Sequence, residues 1–124
     1  MTTTSNSYIA GQLNIIAKAG DSFIRDFTFT TDDTVPVPID LSNYKVKLQV
    51  RKTAKNAQTV LSASLSNYIS IGGADNNVIS VNVPASAMSF TAGDYLWDLE
   101  LTSPENVVIT YLEGDFKLDQ DVTR

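Results

Sequence analysis

The sequence predicts an all-β chain folded as an antiparallel β-sandwich, and three observations carry that expectation. Apolar residues recur at every second position through most of the chain, the period of a strand with one buried face. Clusters of Gly, Pro, Asn, Asp and Ser interrupt these runs every ten residues or so. Only residues 84–88, Pro-Ala-Ser-Ala-Met, have helical character, enough for one turn. Seven to eight short strands at this spacing fit an immunoglobulin-like arrangement, with a small barrel or jelly roll as the alternative.

Residues 2–7 are all Thr, Ser or Asn, a composition that buries too little apolar surface to order itself. Residues 1–11 are accordingly read as a polar arm and residues 12–124 as the folded domain. Tyr8 and Ile9 are the apolar pair placed to anchor that arm on a neighbouring subunit, where strand addition along a sheet edge would satisfy its backbone.

Leu13, Ile15 and Ala17 alternate and run into Lys18-Ala19-Gly20-Asp21, a strand ending in a tight turn. Phe23, Phe27 and Phe29 then share one face with Arg25. The arginine either buries its stem near a strand end with its head in water, or marks a bulge. Pro36 and Pro38 place residues 31–38 in a loop, and Ile39 and Leu41 re-enter the core. Tyr44, Val46, Leu48 and Val50 alternate without exception with Lys45, Lys47, Gln49 and Arg51, apolar inward and basic outward. Three shorter runs follow at 60–65, 68–71 and 78–83, the last two separated by a Gly/Asn-rich turn that tolerates positive φ.

Residues 93–118 form the hairpin around which the core is built. Tyr95, Trp97, Leu99 and Leu101 precede a Ser-Pro-Glu-Asn turn; Val107, Ile109 and Tyr111 follow it, with Gly114, Phe116 and Leu118 beyond. The only tryptophan lies here, so Trp97 is expected beneath the hairpin. The outward faces of residues 45–51 and of Asp98 and Glu100 are expected on neighbouring strands.

Composition excludes much chemistry. The 124 residues hold no Cys and no His, which removes disulfides, thiolate metal sites, Cys nucleophiles, the commonest metal ligand and the usual general base. No catalytic, cofactor-binding or metal-binding residue is assigned, no cofactor is expected, and the chain reads as a non-enzyme. A net charge of −5 opposes a nucleic-acid partner, which requires clustered Lys and Arg. No apolar run is long enough for a membrane span, and no secretory signal is visible, so a cytoplasmic origin is expected.

Asp98 and Glu100 share a strand face but point opposite to the core set, so ordinary carboxylate behaviour is expected of them. Asp32-Asp33, Asp75-Asn76-Asn77 and Asp119 with Asp121 match a calcium loop only in part, and turn chemistry accounts for each. Of five tyrosines, Tyr44, Tyr95 and Tyr111 fall in core-facing registers, leaving Tyr8 and Tyr68 for stacking on a glycan.

Gly20-Asp21-Ser22-Phe23 opens the Phe-rich strand. Pro38-Ile39-Asp40-Leu41-Ser42-Asn43-Tyr44 leads into the 46–51 run. Residues 92–101 read Ala-Gly-Asp-Tyr-Leu-Trp-Asp-Leu-Glu-Leu, and Leu112-Glu113-Gly114-Asp115-Phe116 precedes Asp121-Val122-Thr123-Arg124. In this order and spacing the motifs resemble a family of small structural proteins of tailed bacteriophages, similar to the N-terminal domain of siphophage upper baseplate proteins. The resemblance implies an immunoglobulin-like sandwich built into a virion in the tail, neck, baseplate or fibre region. Such a domain acts by contact with other virion proteins and with copies of itself. A capsid decoration (cement) protein and a carbohydrate-binding module contacting a host glycan are the alternatives. Tyr8, Ile9, Tyr68 and Val122 are the candidate assembly contacts.

Overall fold

The computed structural model describes residues 10–31, 33–52 and 58–120. Nine strands form one curled, mixed sheet. They are β1 (Gly11–Gln12), β2 (Ile15–Lys18), β3 (Phe23–Thr28), β4 (Lys45–Arg51), β5 (Thr59–Leu65), β6 (Tyr68–Gly72), β7 (Val78–Val83), β8 (Gly93–Thr102) and β9 (Val108–Asp119). The order across the sheet is β1-β9-β8-β4-β5-β6-β7-β3, with β2 also on β9. A 3-10 turn, Ala85–Met88, links β7 to β8 where the helical turn was expected.

The curl brings the two ends of the sheet over one another to make a sandwich-like pair of layers. Phe27 of β3 stacks on Trp97 of β8 at 6.0 Å between ring centroids. Phe23 meets Phe116 of β9 edge-on at 5.6 Å, and Phe29 meets Tyr111 at 5.7 Å. Each aromatic arrives from the inward parity of its own strand, Phe29 one residue beyond the end of β3. The closed core therefore follows from period-2 patterning on β3, β4, β8 and β9, whose inward residues Val46, Leu48, Val50, Tyr95, Leu99 and Leu101 are all buried.

Several expectations are sharpened or corrected. The sheet is mixed rather than wholly antiparallel, because β1 and β2 run parallel to β9 and β5 meets β6 in parallel. Side-chain alternation is the same in both ladders and so cannot tell them apart. The first strand is split in two, and its pairing begins at Gly11, opposite Leu112 and one residue inside the stretch read as the arm. Arg25 marks no bulge: β3 pairs with β7 in unbroken register, and the guanidinium lies 5.6 Å from the Phe23 ring centroid. Val107, expected inward, is exposed at the hairpin turn, where its N–H donates to Ser103.

Trp97 is buried beneath the hairpin as expected, and its indole Nε1 donates to the Leu13 carbonyl at 2.7 Å. To reach it, the Leu13-Asn14 link between β1 and β2 passes tightly against Gly114. A Cβ at that position would lie 2.2 Å from the Leu13 oxygen, so only glycine permits the approach.

Candidate functional site

β4 pairs antiparallel with β8, which sets Lys47 opposite Glu100 and Gln49 opposite Asp98, so the expected adjacency of these two faces is present. On its other side β8 pairs with β9, and there the register shifts by one residue. Leu101 faces Ile109 and Glu100 faces Thr110, but Leu99 faces Leu112, leaving Tyr111 as the extra residue of a bulge. Without that insertion Asp98 would face Leu112. With it, Asp98 faces Glu113.

The consequence is a row of polar side chains across four strands, Gln12, Glu113, Asp98 and Gln49, with a second row of Arg51, Leu96 and Asp115 beside it. These residues line a groove of about 500 Å³ on the solvent side of the sheet. Parts of its wall are tied internally: Gln12 Nε2 donates to Glu113 Oε2 at 3.0 Å, and the Arg51 guanidinium donates to Gln49 Oε1.

Asp98 does not behave as an ordinary exposed carboxylate, contrary to the sequence expectation. It is half-buried, and burial pushes its pKa upward, reinforced by the negative charges of Glu100 and Glu113; Arg51 and Lys47 oppose the shift without cancelling it. Asp40 is shifted the other way, held below the usual range by the Ser42 backbone N–H and hydroxyl, with the N–H donating to Asp40 Oδ1 at 2.9 Å. That arrangement is a local turn in solvent.

The groove's carboxylates stand in rows along the strands. Among the described residues no group of three or more acidic side chains is disposed to hold a metal ion. Of the partial calcium motifs, Asp75-Asn76-Asn77 lies in the turn between β6 and β7, as expected, whereas Asp119 ends strand β9. Asn76 takes φ +52, and the Asn77 amide donates to the Phe29 carbonyl at 3.1 Å. Asp119 lies 3.8 Å from Lys117, while Asp32 and Asp121 lie outside the described residues.

Of the candidate assembly contacts, Tyr8, Ile9 and Val122 lie outside the described residues. Tyr68 opens β6 at φ +77 and is half-buried against the core rather than free-standing. Tyr44 is also half-buried, and Tyr95 and Tyr111 are buried, so none of the described tyrosines presents an open stacking face. The groove residues Gln12, Gln49, Glu113 and Asp115 were not singled out from sequence. The available signal was the parity switch of the apolar residues, from Ile109 and Tyr111 to Phe116 and Leu118, which locates the bulge that aligns Glu113 with Asp98.

No family model matches this sequence, and no curated protein matches it. Among solved structures, CopC from Methylosinus trichosporium OB3b aligns with a TM-score of 0.46 at 8% identity, over 90% of this chain and 86% of that one. An endo-fucoidan hydrolase from glycoside hydrolase family 107 aligns with a TM-score of 0.48 at 14% identity. That alignment covers 98% of this chain but only 15% of the hydrolase. Likenesses this distant carry no argument about what the chain binds or does.

Proposed function

We propose that this chain is a non-catalytic structural module of a tailed-bacteriophage virion. It acts in the tail, neck, baseplate or fibre region through contacts with other virion proteins and with copies of itself. The observation that carries the reading is the pair of open sheet edges. β2 pairs only with β9 and β3 only with β7 among the described residues, and each edge strand bears a solvent-facing isoleucine, Ile16 at 66% and Ile24 at 65% exposure. Proteins that function alone guard such edges with charge, proline or bulges, because unpaired strand backbone is a template for another chain. An edge strand with an exposed apolar side chain suits strand addition or lateral packing in an assembly.

The motif order that resembles the phage family is compatible with this use. Its residues occupy turns and core positions: Gly20-Asp21 at the β2–β3 turn, and the buried faces of β4 and β8.

Mass spectrometry of purified virions, followed by immunogold labelling, tests the proposal. The expected result is the protein in stoichiometric amount with label at one discrete position. Its absence from particles overturns the reading. A chain lacking residues 1–9, cut before the paired Gly11, should keep its melting temperature and fail to enter the particle.

A further inference from the structure

The two open edges differ in how they are guarded. β3 carries Arg25 and Asp26 at its middle, the arginine half-buried in the inward register, and an inward-pointing charge at an edge deters a further strand. β2 reads Ile-Ile-Ala-Lys, with its one charge at the end. It also belongs to a longer ladder, because Gly11↔Leu112 and Lys18↔Asp119 keep the same offset and one parallel register runs past the Leu13-Asn14 link. The Leu13 and Ala19 N–H groups donate to the Glu113 and Asp119 carbonyls of β9. Backbone groups alternate along a strand, so odd-numbered residues of this stretch face β9. Those of Asn14, Ile16 and Lys18 face the open side, where no strand lies among the described residues.

We propose that the β2 edge pairs with the same edge of a second copy of this chain, antiparallel across a two-fold axis at Ile16. The choice of a copy as partner rests on the assembly role proposed above; the choice of edge and register rests on β2 itself. Residues opposed in an antiparallel pair share a face of the sheet. With Ile16 on the axis, Ile16 meets Ile16 of the second copy, Ile15 meets Ala17, and Asn14 meets Lys18. The 66%-exposed Ile16 side chain is thereby covered by its own equivalent, as an isologous contact requires. The backbone matches too, because Ile16 faces the open side in both copies and the central pair exchanges two N–H···O bonds. Charge agrees with this register. Lys18 has Asp119 beside it on β9 of its own chain, and across the axis it comes next to Asn14, whose side chain binds the Asp115 N–H. Lys18 therefore lies in one row between Asp119 and the second copy's Asp115. An axis at Ala17 would set Lys18 against Ile16 instead. Pairing β3 with itself about either of its middle residues opposes Arg25 to Arg25 or Asp26 to Asp26, which destabilises a sheet.

Sedimentation equilibrium of the intact chain over a concentration series tests the pairing, with amide hydrogen exchange and cysteine cross-linking to locate it. The chain should form a dimer that dissociates on dilution, and the Ile16 and Lys18 amides should exchange more slowly as the dimer fills. The chain holds no cysteine of its own, so a single introduced thiol reports one position. Cα atoms of a hydrogen-bonded antiparallel pair lie about 5.5 Å apart, a span a disulfide bridges. Under mild oxidation Ile16→Cys should therefore give a covalent dimer about tenfold or more faster than Ile24→Cys on the β3 edge. Ile16→Pro removes an N–H on the open side alone and should leave a folded monomer; Ile16→Lys serves if circular dichroism shows the proline variant unfolded. A chain that stays monomeric up to about 1 mM, the weak end of specific association, overturns the proposal. Equal cross-linking by Ile24→Cys overturns it as well, and so does a dimer whose Ile16 amide exchanges as fast as the monomer's, the last in favour of side-chain packing without strand pairing. A protein found in virions that is monomeric by these measures refutes the β2 pairing only. One that dimerises through Ile16 but is missing from virions refutes the assembly role only.

Discussion

Gly114→Ala is the sharpest test of how the edge strand is held. An added Cβ would lie 2.2 Å from the Leu13 carbonyl oxygen, 2.8 Å from its carbon and 2.9 Å from Asn14 Oδ1. The first two are backbone atoms that cannot rotate away, so relief requires the Leu13-Asn14 link to retreat by roughly 1 Å, to ordinary contact distance. Three hydrogen bonds converge on that link: Trp97 Nε1 to Leu13 O at 2.7 Å, Leu13 N to Glu113 O at 2.9 Å, and Asp115 N to Asn14 Oδ1 at 3.0 Å. The indole bond is decisive because Trp97 is only 3% exposed and water cannot replace the carbonyl. Leaving that donor unsatisfied costs about 1–3 kcal/mol, and overpacking adds about 1–3 kcal/mol. We expect a loss of roughly 2–6 kcal/mol, a large part of the stability of a domain this size. Urea unfolding followed by Trp97 fluorescence measures it, and the native emission should shift as the indole loses its partner. A variant within about 0.5 kcal/mol of the parent, within the ordinary scatter of harmless substitutions, would refute the close-approach argument.

Trp97→Ala should cost about 3–5 kcal/mol by denaturant titration, as a large core truncation that also strands the Leu13 carbonyl and removes the surface on which Phe27 stacks. Asp98→Asn should stabilise the fold near neutral pH by about 0.2–1 kcal/mol, the range of one cross-strand pair. The folded-state pKa of Asp98 is raised, so the native state binds more protons than the unfolded one between the ordinary carboxylate value and the raised value. Its ionisation therefore lowers stability as pH rises through that window. The gain from Asn should vanish once the medium is acidic enough to protonate Asp98 in both states, and thermal melts across acid to neutral pH read this directly. Lys47→Glu should cost about 0.5 kcal/mol by placing like charges opposite at Glu100, and Glu100→Lys in the same chain should recover it, as a double-mutant cycle would show.

What could be read from the residues divides along a physical line. β4 and β8 were legible, including their adjacency, because a strand buried on one face writes its period directly into the apolar positions. Arg25 left two readings open from sequence, and the unbroken β3–β7 register selects the half-buried stem. Strand direction left no trace in the side chains, since parallel and antiparallel ladders use the same backbone groups and the same alternation. The parallel entry of β1 and β2 alongside β9 was therefore invisible. Gly114 occupies an inward register where an apolar residue would otherwise be expected. Its reason lies in the Leu13 backbone, more than a hundred residues earlier in the chain, so local pattern could mark the glycine but not explain it.

The groove depends on both kinds of information, which is why its β4–β8 half, with Gln49 and Arg51 beside Asp98, was legible in the sequence while the β1 and β9 half, with Gln12, Glu113 and Asp115, was not. Counting back from the Thr102–Val108 pair in simple register sets Asp98 against Leu112, an unremarkable polar–apolar pair. The bulge at Tyr111 advances the register by one and substitutes Glu113, which creates a carboxylate pair on the outside while turning Phe116 and Leu118 toward the core. The same insertion thus serves packing and surface chemistry at once. Removing the extra residue would have to sacrifice one of them, because a one-residue slip sends every later side chain of β9 to the opposite face. The acidic groove and the aromatic core over β9 are in this sense two sides of a single register choice, and neither can be altered by moving the strand without undoing the other.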